Sequence, residues 1–561
     1  MTNLKKWLQY WDFGLCIIFT MWMTSPLWMH GQILFMGKPS ADNVVTPWFY
    51  DFIARSLWDG SSYEYLREFD FPNPQHYTLE FPSVMDAVLL APIAWIFDWP
   101  QQWAWALTAT MLINAVAVAS FAKVIGLGRW GVAFSGMSVV LLRPLWAEMV
   151  KGRMNVLMPG LAILAMVGVL LCFRRDSNNQ KRTPFIRGFG VLLSFSMGVI
   201  GALVYPPFLL MFIPIGLLVV FPFWKNSGFL SVLLPIAIAG LAYWSIFDTL
   251  WGIYYDNHRV LDCANLNCPD RYNSFAVSSL ALWEPIERHG LSLSGLQAAG
   301  WLLPPFVLLH PKFRWKGLGF GIVALGYVFM SLGPCPNATP FERMKAQWIE
   351  DIMPWMNSLW CASAHLHDFG RFGMVTGFIL CICSGISLDV LWRFRSRILK
   401  LVSIAIGSWI LWLSYEPLLQ EILNPSKWHA IPRNVISDFM KDRPRRAIAE
   451  LPFDRSAQFL SGLSAPYVWR VNPIRPNDPP RAQTTFYTWL YAVAKGQKPD
   501  LTPTAEDVRR SGLSWIFFDP SRCEQHGGKV QPCAPWVREE LKDVLGEPEM
   551  LSFGVSVWEI D

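Results

Sequence analysis

The sequence is dominated by apolar stretches of the length that crosses a bilayer. A hydrocarbon core about 30 Å thick needs roughly 20 apolar residues in a helix. Eleven stretches qualify, at 13–35, 102–125, 130–147, 154–173, 186–204, 206–223, 228–247, 292–310, 317–333, 369–391 and 400–418. Inside that core no water is present to bond the backbone, so each stretch must close its own hydrogen bonds as helix. The reading is a mainly α, polytopic membrane protein of about 11 spans. Composition agrees: 53% of residues are hydrophobic and 16% charged, against about 25% charged in soluble domains. The 30 Trp and 38 Phe suit two interfacial aromatic belts. The net charge of +5 is small for 561 residues and sits in short clusters between spans, which speaks for topology and against nucleic-acid binding. The start, "MTNLKKWLQYWDFGLCIIFTMWM", is basic then apolar but lacks a small-residue cleavage site, so it reads as a retained first span.

One further piece, 83–98, is apolar but short and interrupted by Asp86 and Pro92. Lys5 and Lys6 place the N-terminus in the cytoplasm by the positive-inside rule. If 83–98 crosses, the basic clusters "FRRDSNNQKRTPFIR", "FWKN", "HPKFRWK" and "RFRSRILK" fall outside; if it is re-entrant or interfacial they fall inside, together with "GLGRW". The second arrangement is the expectation. It sends residues 36–101, 248–291 and 334–368, the short 148–153 link, and the tail beyond about 420 to the outer face, the periplasm of a bacterial inner membrane. Two domains follow: a transmembrane domain over 1–420 and a small periplasmic α/β domain over 421–561.

The tail is charged, rich in proline and without a span. "RRAIAELPF" and "LSWIFFDP" read as buried strands, "TPTAEDVRRSG" as a short helix with Thr504 as N-cap and Asp507 completing a capping box, "PWVREELKDVLG" as another helix and "EMLSFGVSVWEI" as a last strand. It holds neither a nucleophile elbow nor a phosphate loop. Cys263 with Cys268, Cys335 with Cys361 and Cys523 with Cys533 lie in outer regions, where an oxidising compartment favours disulfides. A metal site is the rival reading for Cys263 and Cys268.

Chemistry points to the same outer face. Asp42 follows the first span directly. If 47–58 is helical, Asp51 and Arg55 lie one turn apart and pair, which leaves Asp42 as the less committed carboxylate and a candidate general base. Asn43, Glu80 and Asp86 belong to the same loop. Lys151 and Arg153 sit between two spans on the side where cations are disfavoured, which suggests an anionic partner such as a lipid phosphate. "ASAHLHDFGRFG" adds His365, His367, Asp368 and Arg371, read as phosphate contact or structural pairing ahead of a metal site. A carboxylate, several isolated cations and many aromatics beside apolar grooves suit chemistry on a lipid with an anionic head.

The pattern resembles the GT-C superfamily of polytopic membrane glycosyltransferases, including its YfhO-like bacterial members. The resemblance rests on "SADN" after span one, the "TPWFYDFIARSLWDG…FPNP…FP" run, "SLGP" followed by "HDFGRFG", and a tail carrying "AIAELPF" and "GLSWIFFD". It implies transfer of a sugar from a polyprenyl-phosphate-linked donor to an envelope glycan, lipid or protein acceptor, with Asp42 as catalytic base. The candidate substrate-binding residues on the outer face are Asn43, Asp51, Glu80, Lys151, Arg153, His367 and Arg371. Many members carry a second acid beside the first; here the neighbour is Asn43, so a divalent cation is left as an open cofactor. A non-catalytic GT-C-like scaffold or lipid-binding subunit is the alternative, and a transporter a third reading.

Overall fold

The computed structural model describes residues 11–30, 34–36, 41–61, 85–150, 152–173, 184–227, 314–332, 370–393, 396–424, 428–430, 435–440, 443, 447–451, 469–470, 485–494, 497–520 and 535–560. Helices occupy nine of the eleven stretches read as spans; the other two, 228–247 and 292–310, lie outside the described residues. They are α1 (Trp11–His30), α4 (Gln101–Ile125), α5 (Arg129–Val140), α6 (Arg143–Val150), α7 (Gly160–Phe173), α8 (Pro184–Val204), α9 (Pro206–Ser227), α10 (Arg314–Leu332), α11 (Gly370–Arg393) and α12 (Arg397–Ile422), with α5 and α6 sharing one stretch. Among the described residues, six segments are long and apolar enough to cross a membrane: 101–125, 129–150, 154–172, 184–204, 373–393 and 397–420. The molecule is a membrane protein.

Two stretches differ from a plain span. The 130–147 stretch breaks after Val140, because Pro144 in the first turn of α6 has no N–H for the carbonyl four residues back and its ring crowds that carbonyl. The 154–173 stretch opens with a 3-10 turn, Met154–Leu157, before α7. Asn114 of α4 mends that second break. Its amide donates to the Leu157 carbonyl at 2.7 Å and its carbonyl accepts from the Gly160 N–H at 2.8 Å, all fully buried.

The chain divides into two compact units, one of residues 1–31 and 104–428, the other of 32–103 and 429–561. In the first, helices pack closely where side chains are small. A Cβ on Gly168 of α7 would lie 2.4 Å from the Ser194 nitrogen of α8, so only glycine allows that approach. Two buried carboxylates tie helix ends together. Asp12 meets Lys123 at 3.1 Å. Asp389 accepts from the Gly128 N–H at 2.9 Å and pairs with Arg393 at 2.6 Å, while Arg393 also donates to the Gly126 carbonyl. A methyl group on Gly128 would stand 2.4 Å from the Asp389 carboxylate.

In the second unit, β1 (Leu34–Met36) and β2 (Trp428–Ala430) form a two-stranded sheet. Two helices come from the first loop: α2 (Ala41–Asp59) and α3 (Met85–Ala94). Ten residues rise only about 15 Å, half of a hydrocarbon core, so α3 is too short to cross. Residues 435–560 hold a five-stranded sheet in the order β4-β3-β5-β7-β6, made of β3 (Ala447–Leu451), β4 (Trp469–Arg470), β5 (Trp515–Phe518), β6 (Glu549–Met550) and β7 (Ser556–Glu559). The strands β4, β3 and β5 run parallel and β7 antiparallel to β5. Alternation sorts the side chains: Ala447, Ala449, Leu451, Ile516 and Phe518 pack on α14 (Thr485–Ala494) and α16 (Pro535–Leu545), while Ile448, Trp515 and Phe517 pack on α13 (Val435–Met440). The stretch read as one last strand is instead a hairpin, β6 to β7, reversing through Phe553 and Gly554, both at positive φ. The helix α15 (Ala505–Arg509) carries the capping box that its sequence spells. All six cysteines named as disulfide candidates lie outside the described residues.

Candidate functional site

The first-loop helix begins six residues earlier than the 47–58 pattern suggests, so Asp42 and Asn43 occupy its first turn rather than an extended link. Pro47 removes one rung of the α2 ladder, since it has no N–H for the Asn43 carbonyl. Their side chains are not among the described ones. One turn past Pro47, Asp51 pairs with Arg55 at 2.7 Å, the i,i+4 contact its spacing predicts. Its second oxygen accepts from the Gln102 amide at 3.0 Å. Both oxygens of Asp51 are therefore engaged, by a cation and by the first turn of α4.

Tyr50, one residue earlier and so on a different side of α2, is buried and donates to Asp86 in the first turn of α3. The other Asp86 oxygen accepts from the Ala87 N–H at 3.0 Å. Burial and the neighbouring Asp86 charge hold the Tyr50 hydroxyl well above its ordinary range, so it stays a donor. The Trp103 and Tyr50 rings meet in a T-shaped arrangement, with centroids 5.6 Å apart. The bond brings Asp86, late in the loop, against Tyr50 near its start. This bond was beyond sequence reasoning; a Tyr one residue before an Asp–Arg pair carries no signal of its own.

The 148–153 link closes α6 with a turn that fixes Arg153. Gly152, at φ 73, donates to the Met149 carbonyl and Arg153 donates its N–H to the Glu148 carbonyl, the two bonds of a Schellman motif. The Arg153 guanidinium also reaches the Glu148 carboxylate at 3.6 Å. Arg153 is thus a cation set beside a buried acid, a pairing that its sequence neighbourhood did not reveal. Arg371 falls in the first turn of α11, its side chain outside the described ones. Glu80, Lys151 and His367 lie outside the described residues. Among the described residues, no three His, Cys, Asp or Glu side chains stand together to hold a metal ion.

The fold of this chain, a helical membrane unit with a long first loop and a carboxyl-terminal mixed sheet, is similar to the folds of solved glycosyltransferases. The mycobacterial arabinofuranosyltransferase AftD superposes with a TM-score of 0.50 and 12% identity, over 99% of this chain and 40% of its own. ArnT from Cupriavidus metallidurans bound to undecaprenyl phosphate gives 0.48 and 11%, over 98% of both chains. The oligosaccharyltransferase AglB from Archaeoglobus fulgidus, in complex with an inhibitory peptide and a dolichol-phosphate, gives 0.48 and 10%, over 91% of this chain and 69% of its own. At these identities the likeness is one of fold. No protein-family model and no curated protein matches the sequence.

Proposed function

We propose that this chain is a membrane glycosyltransferase that moves a sugar from a polyprenyl-phosphate-linked donor to a glycan, lipid or protein acceptor on the periplasmic face of a bacterial inner membrane. The observation that carries the reading is the GT-C fold, shared along 99% of the chain with an arabinofuranosyltransferase. In the reaction an acceptor hydroxyl oxygen attacks the anomeric carbon. The bond from that carbon to the phosphate oxygen breaks, the polyprenyl phosphate leaves with the electron pair, and Asp42 takes the hydroxyl proton. Lys151, Arg153, His367 and Arg371 stabilise the leaving phosphate, and Asn43, Asp51 and Glu80 line the donor sugar. Residues 421–561 form the outer-face domain, with the N-terminus in the cytoplasm. The ten-residue α3 supports that topology, because a helix too short to cross keeps the basic clusters inside.

A second reading, a non-catalytic scaffold or lipid-binding subunit, is favoured by one pair of observations. Asp42 is followed by Asn43 in place of a second acid, and Asp51 and Asp86, the two half-buried or buried carboxylates described in that loop, are both held by protein donors. The experiment is Asp42→Asn, assayed in membranes lacking the native protein for transfer from a radiolabelled polyprenyl-phosphate sugar pool. General-base loss predicts a fall of roughly 10²–10⁴-fold at normal protein level. Unchanged transfer removes Asp42 from catalysis and turns the reading to the scaffold.

A further inference from the structure

Two turns meet at one end of the helical unit, the turn from α4 into α5 and the turn from α11 into α12. Asp389 and Arg393 bridge them, through the Gly128 N–H and the Gly126 carbonyl. Lys123 brings Asp12 and the start of α1 to the same place, so this is the end of α1 remote from His30, after which the first loop begins. Cations crowd these segments, whereas both carboxylates, Asp12 and Asp389, are fully buried and already bonded. Among the described residues neither Arg397 nor Lys400 pairs with a carboxylate.

Lys400 is held by a ring instead. Its ammonium stands over the Trp392 indole, 5.9 Å from the centroid, within the range of a cation–π contact. Trp392 in turn lies against Trp130 of α5, with centroids 6.4 Å apart. The Trp130 indole N–H is buried without an acceptor. Arg397, exposed, comes three residues before Lys400 and so shares its face of α12. Next to them Ile398 and Leu401 are 72% and 65% exposed. An ammonium set on an aromatic face, a second cation one turn away, no acid shared with either and bare hydrocarbon alongside suit a lipid with an anionic head.

We infer that Arg397 and Lys400 bind the phosphate of an anionic phospholipid whose acyl chains lie along Ile398 and Leu401. Arg129, exposed beside Trp130 at the head of α5, adds to the positive field. Topology accounts for cations at this end of the helices but not for an ammonium fixed on Trp392, since the positive-inside rule needs charge and no geometry. The site belongs to the helical unit alone and does not depend on sugar transfer.

The test is native mass spectrometry of the full-length protein, released from detergent micelles doped with equal amounts of phosphatidylglycerol and phosphatidylcholine. Wild type is expected to retain phosphatidylglycerol over phosphatidylcholine by roughly tenfold or more. Arg397→Gln/Lys400→Gln should abolish that preference. Arg182→Gln/Arg187→Gln, which removes the same charge from the basic cluster at 173–187, should leave it intact. Equal retention of the two lipids by wild type overturns the inference without any variant. An equal fall in both double variants overturns it in favour of diffuse charge. Displacement of the lipid by millimolar inorganic phosphate overturns it in favour of a free anion.

Discussion

The polar groups of the helical unit and those of the loop-and-sheet unit differ in how deeply they are set. In the helical unit Asp12, Asn114 and Asp389 each bond to residues far away in sequence, and each joins separate helices. In the other unit Tyr50 bonds to Asp86 in the interior, Asp51 to Arg55 and Gln102 at half-buried positions, and Thr504 to Asp507 at the surface. Buried polar groups in a lipid-embedded unit have no water as an alternative partner, so one side chain can hold a whole helix in place. The polar groups of the other unit run from that depth out to solvent, where water can replace a lost partner.

That contrast can be broken at four places. Asn114→Ala leaves the Leu157 carbonyl and the Gly160 N–H without their shared partner, at roughly 1–3 kcal/mol for each. Thermal unfolding in detergent, followed by a thiol dye that reads the buried Cys16, Cys381 and Cys383, should shift down by more for this variant than for any of the others. Asp389→Ala frees the Gly128 N–H and the half-exposed Arg393. With the ion-pair share discounted for that exposure, the loss is about 2–3 kcal/mol by the same assay. Tyr50→Phe removes a bond to a charged acceptor and should cost about 1–2 kcal/mol of local stability, seen as faster amide exchange in α2 and α3. An equal drop in the thiol-dye transition for Tyr50→Phe would refute the contrast.

The smallest effect is at α15. The Thr504 N–H, and after it the Thr504 hydroxyl, hold the Asp507 carboxyl below the ordinary carboxylate range. A depressed folded pKa means that the cap contributes fully above the ordinary carboxylate pKa and is lost as pH falls through the lowered value. Intrinsic-rate-corrected amide exchange at residues 505–508 should therefore speed up only on acidification; Thr504→Ala, which keeps the backbone N–H, should weaken that pH dependence, and Asp507→Asn should abolish it.

Much of this architecture is legible in the sequence because it follows from period and length. Long apolar runs placed the helices, short ones read as buried strands placed β3 and β5, and Thr504 with Asp507 three residues on announced the start of α15. The i,i+4 spacing of Asp51 and Arg55 announced their ion pair. What could not be read is what joins distant residues or turns the chain in a few of them. Nothing local in "TMLINAV" says that Asn114 mends a break 43 residues later. The run "EMLSFGVSVWEI" alternates well enough to hide the reversal at Phe553 and Gly554. Of the candidate site, the Asp51 pair was readable, whereas the Tyr50–Asp86 bond and the Glu148 partner of Arg153 depend on how helices and turns meet.

The Asn114 bond also bears on the order in which the chain is built. At 14 residues α7 rises about 21 Å, short of a hydrocarbon core of about 30 Å, and the 3-10 turn before it adds length without continuing the ladder. A nascent chain that offered this segment alone to lipid would expose the Leu157 carbonyl and the Gly160 N–H. Because α4 is synthesised first, Asn114 is already waiting when the segment emerges from the ribosome. The fourth crossing is then not an independent insertion but a docking event, and Asn114→Ala should act on biogenesis, lowering yield in the membrane before any transition is measured on purified protein.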